Sequence, residues 1–243
     1  MKLVKYFGVL LTVATLVIST PVNVYASSNS SIWIGDSRGV GLSQTVVADD
    51  YEFIAKCGMS YSWFNSDAIP RLQSYLNSNP NRTVVINMGV NDCANICCGG
   101  NSTVNKYIED INKLIKKYPS THFYYLSTNP VDGDYQSSYS STGYIDKDEL
   151  NAIINEFNAL MKNRCNATYI DCNSYLIEEG FSTFDGIHYT SETYQDIYNY
   201  TERYINLDYV RCYYELCKDR PKRFNKWGWV WCKPFCEWVS KSL

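Results

Sequence analysis

Three short stretches of this chain hold residue types that can act together on an ester: Gly35-Asp36-Ser37-Arg38-Gly39, Gly89-Val90-Asn91-Asp92 and Asp185-Gly186-Ile187-His188. A serine hydroxyl is a weak nucleophile near neutral pH, so a base must take its proton as it attacks. The chain has two histidines for that task, His122 and His188. His122 opens an apolar run that reads as the amino end of a strand, whereas His188 lies in a loop ahead of a helix expected to start near Thr190. His188 is therefore the candidate base and Ser37 the candidate nucleophile. Asp185, three residues before His188, can orient the ring through its other nitrogen and favour the imidazolium. Asp185-Gly186 also reads as a turn, and a turn is what brings a carboxylate back onto a ring three positions on.

Five runs rich in β-branched and aromatic residues read as strands: 31–36, 51–56, 83–89, 122–128 and 167–172. Between them, Tyr107, Ile108, Ile111, Leu114, Ile115 and Tyr118 share one helical face, as do Leu150, Ile153, Ile154, Phe157, Leu160 and Met161. Strand and helix in alternation imply a parallel sheet with right-handed crossovers, an α/β fold of the three-layer α/β/α kind with a central five-stranded sheet. Sites in such sheets gather at the carboxyl ends of the strands. The loops to search therefore begin near Ser37, Cys57, Met88 and Asn129, and after Cys172.

Taken in order, Ser37, Gly58, Asn91 and the Asp185–His188 pair resemble the SGNH hydrolases, also called the GDSL family, whose four blocks supply Ser, Gly, Asn and His. The resemblance covers nearly all of residues 31–207. It implies a flavodoxin-like sandwich, an acyl-enzyme mechanism without cofactor or metal, and an oxyanion hole carried over to the Ser37 and Gly58 backbone N–H groups and the Asn91 amide. The spelling Gly35-x-Ser37-x-Gly39 also fits the nucleophile elbow of the α/β-hydrolases. That elbow follows several strands, whereas one strand precedes Ser37, so the match reads as coincidence. The sequence departs from the family at Arg38, where leucine is usual; solvation or a carboxylate partner is the expected fate of this arginine, contact with an anionic or sugar group of the substrate the alternative. Asp36 and Asp92 read as local caps or turn residues.

Residues 1–26 carry Lys2, Lys5 and an apolar run of about a dozen residues, shorter than the roughly 20 a membrane span needs, and read as a signal peptide cleaved after Ala26. The expectation is a secreted, envelope-facing catalytic domain over 27–207 with a Cys/Trp-rich basic tail over 208–243 and no transmembrane segment in the mature chain. Residues 27–207 hold twelve Lys and Arg against twenty-one Asp and Glu, a net −9, while 208–243 hold eight against four, a net +4. An acidic body makes nucleic acid an unsuited partner, and the basic tail suits a cell wall or other anionic surface. Export and irregular spacing favour disulfides among the ten cysteines over paired zinc ligands. Cys57 is expected to pair with Cys93, Cys97 or Cys98, on the view that their loops leave neighbouring strands, and Cys212, Cys217, Cys232 and Cys236 to form two bridges that present Trp227, Trp229 and Trp231. The reading that follows is an esterase removing short acyl groups from a polysaccharide or cell-wall glycan. Its rivals are a lipid esterase or acyltransferase on the same fold, and a non-catalytic surface-binding protein.

Overall fold

The β-branched and aromatic runs become strands, and each is followed by the helix that carries the chain back over one face of the sheet. The computed structural model describes residues 31–46, 51–95, 101–137 and 141–218. In chain order the elements are β1 (Ser31–Gly35), α1 (Ser37–Thr45), β2 (Tyr51–Ala55), α2 (Tyr61–Trp63), which passes through a π-helical stretch (Phe64–Ala68) into α3 (Ile69–Ser78), β3 (Thr83–Asn87), α4 (Val90–Ala94), α5 (Asn101–Lys117) and β4 (His122–Leu126). A short hairpin of β5 (Tyr135–Gln136) and β6 (Tyr144–Ile145) follows, then α6 (Lys147–Arg164), β7 (Thr168–Ile170), α7 (Cys172–Glu179) and α8 (Ser191–Lys218).

The five main strands form one parallel sheet in the order β2-β1-β3-β4-β7. Because side chains alternate across a strand, Ile32, Ile34, Val84, Ile86, Phe123 and Tyr125 enter one core while Trp33, Val85, Tyr124 and Leu126 enter the other. The first core is closed by α3, α5 and α6, through Leu72, Leu76, Ile111, Leu114, Ile154 and Met161. The second is closed by α1, α7 and α8, through Leu42, Leu176, Tyr194 and Ile197. This is the three-layer sandwich with a five-stranded parallel sheet that the alternating pattern predicts. Among the described residues no helix is long and apolar enough to cross a membrane.

Several details differ from the sequence reading. The last strand stops at Ile170, because the Asp171 side chain accepts from the Ser174 N–H at 3.3 Å and caps α7, an element the sequence did not announce. The final helix runs past residue 207 to Lys218, so the change of composition at 208 does not break the backbone there. Residues 1–26 and the tail beyond 218, with its tryptophans, Cys232 and Cys236, lie outside the described residues, as do Cys97 and Cys98; of Cys212 and Cys217 only the backbone is described.

Cys57, Cys93, Cys165 and Cys172 are free thiols. Cys93 and Cys172 are packed as small apolar side chains in the two opposite cores, where burial pushes both thiols well above their usual pKa. Cys57 is exposed and Cys93 fully buried, and β2 and β3 are not neighbours but flank β1. The expected bridge from Cys57 to Cys93 is therefore absent.

Candidate active site

Register places the candidate loops side by side. Gly35 at the end of β1 stands opposite Ala55 of β2 on one side and Asn87 of β3 on the other. The chain segments carrying Ser37, Gly58 and Asn91 thus leave the sheet at its carboxyl edge from three adjacent strands. Ser37 is the first residue of α1, and Asp36 caps that helix by accepting from the Arg38 N–H at 3.0 Å. The turn from β1 into α1 is tight: a Cβ on Gly35 would stand 2.8 Å from the Gly39 Cα. The two glycines flanking the serine therefore have a local steric cause in this turn.

His188 Nε2 lies 2.8 Å from Ser37 Oγ, and His188 Nδ1 lies 2.7 Å from Asp185 Oδ2. The other carboxylate oxygen of Asp185 accepts from the Ile187 and His188 N–H groups at 2.9 and 2.7 Å. The turn and the ring contact are thus one structure. Partial burial pushes the Asp185 carboxyl up, but the hydrogen bonds from His188 and Ile187 outweigh it and hold the group below the usual carboxylate range. It stays charged beside the ring. The side chains of His188 and Asp185 remain 30% and 41% exposed, so the pair opens to solvent. Beside it the Phe184 ring, 72% exposed, stacks on the imidazole with 5.7 Å between centroids and 16° between planes.

The Asn91 amide donates to the Met59 carbonyl at 2.9 Å, and its oxygen accepts from the Tyr135 hydroxyl. Asp92 accepts from the Tyr61 N–H at 3.0 Å and from the Tyr107 hydroxyl at 2.9 Å. It is buried and ties α4 to α2 and α5, a longer reach than the local cap expected of it. Burial pushes its carboxyl up to about 6, against the pull of the two donors. These hydrogen bonds hold the α4 and β2–α2 segments together, the task the sequence reading gave to a disulfide. Gly58 lies in the β2–α2 loop, exposed, with φ +72°.

Arg38 is 3% exposed, contrary to the expected solvated or carboxylate-paired side chain. Its guanidinium donates to three backbone carbonyls, of Ile187 at 3.0 Å, Asn129 at 2.7 Å and Pro130 at 3.0 Å, and lies over the Tyr189 ring. It joins the helix that begins with Ser37 to the turn that carries His188. Asp36 is buried beside it; burial raises the Asp36 carboxyl, opposed by the charges of Arg38 and His188. His122 sits exposed at the amino end of β4, the far edge of the sheet from Ser37. Among the described residues no group of three or more His, Cys, Asp or Glu is placed to hold a metal ion.

Hydroxyl, imidazole and carboxylate in series, with an amide held nearby, are the parts from which acyl transfer through a serine ester is built. Comparison with solved structures finds the same fold in a Bacteroides fragilis protein assigned as an acylhydrolase, at 18% identity and a TM-score of 0.55, covering 76% of this chain and 96% of that one. A GDSL-like lipase of Bacteroides thetaiotaomicron superposes with a TM-score of 0.55 at 17% identity, covering 74% of this chain and 89% of its own. No curated protein is matched by the sequence. The profile of the family described as GDSL-like lipase/acylhydrolase matches residues 27–201, well over half of the sequence, and the chain belongs to that family.

Proposed function

We propose that this protein is an exported serine esterase that removes short acyl groups, acetyl foremost, from a polysaccharide or cell-wall glycan. The observation that carries the reading is the unbroken series from Ser37 Oγ through the His188 ring to Asp185, at 2.8 and 2.7 Å. Ser37 attacks the ester carbonyl while His188 Nε2 takes its proton; the tetrahedral oxyanion is met by the Ser37 and Gly58 N–H groups and the Asn91 amide. His188 then returns the proton to the leaving alcohol, the acyl group stays on Ser37, and a water activated by the same ring releases it as a carboxylic acid. Asp185, held charged, favours the imidazolium that exists between these transfers.

Support for the glycan comes from what surrounds the ring. The alcohol oxygen must come to His188 Nε2, so the group flanking that ring flanks the alcohol, and that group is an exposed phenyl face. A flat aromatic surface beside an open acid–base pair suits a sugar presented by a large polymer. The acidic body and the basic tail beyond it suit a protein that works against an anionic envelope.

Hydrolysis of p-nitrophenyl acetate and of longer-chain esters by the purified protein tests the reading. Activity should be highest on acetate and fall by roughly three or more orders of magnitude in Ser37→Ala and in His188→Ala, with the fold retained. A fluorophosphonate probe should label Ser37. Asn91→Ala should cost about 10²- to 10³-fold in turnover, the loss of one pre-aimed donor. Full activity in Ser37→Ala ends the mechanism, and a preference for long acyl chains ends the proposed substrate.

A further inference from the structure

An asparagine amide that must donate to an oxyanion can be set in two ways that differ by a half-turn, and only one of them offers an N–H. Asn91 has one acceptor oxygen and two N–H groups. One N–H is taken by the Met59 carbonyl, and the oxygen is taken by the Tyr135 hydroxyl. This leaves one N–H of the amide uncommitted. Turned by a half-turn, the amide would set its oxygen against the Met59 carbonyl and its N–H groups against the tyrosine. Two acceptors facing each other with neither satisfied is the costly arrangement.

We propose that Tyr135 is a positioning residue for the oxyanion donor: its hydroxyl holds the Asn91 amide in the orientation that keeps one N–H free for the transition state. This rests on the esterase reading above and adds to it a residue outside the four blocks of the resemblance. Burial, aided by the Asp36 and Asp185 charges and opposed by that of Arg38, raises the Tyr135 hydroxyl above its ordinary pKa, so it stays a protonated donor. A hydrogen bond into the amide oxygen also polarises the amide, and that strengthens the remaining N–H as a donor.

The placement of Tyr135 is built rather than incidental. The strand β5 that carries it pairs Tyr135 with Ile145 of β6. Ahead of it, the Asp132 N–H donates to the Gly186 carbonyl at 2.8 Å, and Gly133 packs so closely on Gly186 that a Cβ on Gly186 would lie 2.6 Å from the Gly133 Cα. Behind it, the Ser137 hydroxyl donates to the Ala94 carbonyl at 2.6 Å. Residues 132–137 thus form a strap fastened at one end to the turn that carries Asp185 and His188, and at the other to the helix that carries Asn91. Tyr135 is the point between the two fastenings where a side chain reaches the amide. The strap sets the distance from base to oxyanion donor, and the tyrosine sets the donor's direction.

The bond to an oxyanion strengthens as charge develops, so a mis-set amide lowers turnover and leaves ground-state binding alone. In Tyr135→Phe, kcat for p-nitrophenyl acetate is expected to fall about ten-fold, the size of a coupling of directly bonded groups, with KM unchanged and the melting temperature close to that of the wild type. In an Asn91→Ala background the same substitution should change kcat by less than about two-fold, because the group it positions is gone. A wild-type kcat in Tyr135→Phe, a change confined to KM, or an equal loss in both backgrounds overturns the proposal. Ser37→Ala in the same series separates the two readings: if it keeps activity the esterase mechanism itself has failed, and if Ser37→Ala and Asn91→Ala are impaired while Tyr135→Phe is not, the positioning role alone has failed.

Discussion

The Asp92 carboxylate receives a backbone N–H from Tyr61 and a hydroxyl from Tyr107, and burial still pushes it up to about 6. At the residue scale this has a consequence for stability. An unfolded aspartate titrates near its ordinary value of 3.8, so between about pH 4 and pH 6 the folded chain binds more protons than the unfolded one, and stability falls as the pH rises through that window. Below it both states hold the proton, and above it neither does. Asparagine cannot titrate. Melting temperatures of Asp92→Asn and wild type should therefore diverge across pH 4 to 6, the wild type losing ground as the pH rises; parallel curves would remove Asp92 from the account. The neighbouring Asn91 is set by two hydrogen bonds of opposite sense, and so in the proposed mechanism two adjacent residues of one short motif divide the work, one joining helices and the other facing the oxyanion.

At the scale of elements, the placing of Ser37 against His188 depends on how α1, the β4–β5 segment and the Asp185–His188 turn are joined, and Arg38 joins all three. Leucine, the residue expected there from the family, would fill part of the space but take the guanidinium donors from the Ile187 and Asn129 carbonyls, leave the Pro130 carbonyl to the Tyr189 hydroxyl, and leave Asp36 without its nearby cation. Arg38→Leu is expected to cost about 3–5 kcal/mol and to lower the melting temperature by roughly 10 °C, as a thermal scan would read. None of this arginine's partners was legible beforehand, because they are backbone carbonyls 91, 92 and 149 positions away that no residue type announces. Tyr135 was hidden for the same reason, as one of 22 tyrosines whose contact spans 44 positions. The five strands were legible as runs of β-branched and aromatic residues, most plainly the central β1, β3 and β4, which are buried almost throughout, and so were α5 and α6, whose faces repeat with the helical period. The hairpin of β5 and β6 was not, each strand being two residues long. Ser37, Asn91, Asp185 and His188 could be picked out because each sits in a short local word where chemistry and turn geometry coincide.

Across the whole molecule, one sheet serves two cores that share no side chains, and among the described residues each core holds one fully buried free thiol. Cys93 lies under the face covered by α3, α5 and α6, and Cys172 under the face covered by α1, α7 and α8. Neither sulfur reaches solvent in the folded state, and both are poor nucleophiles there, so an alkylating reagent can modify them only when the layer above opens. The protein therefore carries its own pair of unfolding reporters, one per layer, with exposed Cys57 as an internal reference that reacts at once. If the sheet binds the layers into one cooperative unit, Cys93 and Cys172 will be alkylated at the same rate in mild denaturant, as peptide-level mass spectrometry can follow. A Cys172 that reacts well before Cys93 would mean that the layer of α1, α7 and α8 lifts from the sheet by itself, carrying Ser37 at the head of α1 and His188 just ahead of α8 away from Asn91 while the opposite core stays closed.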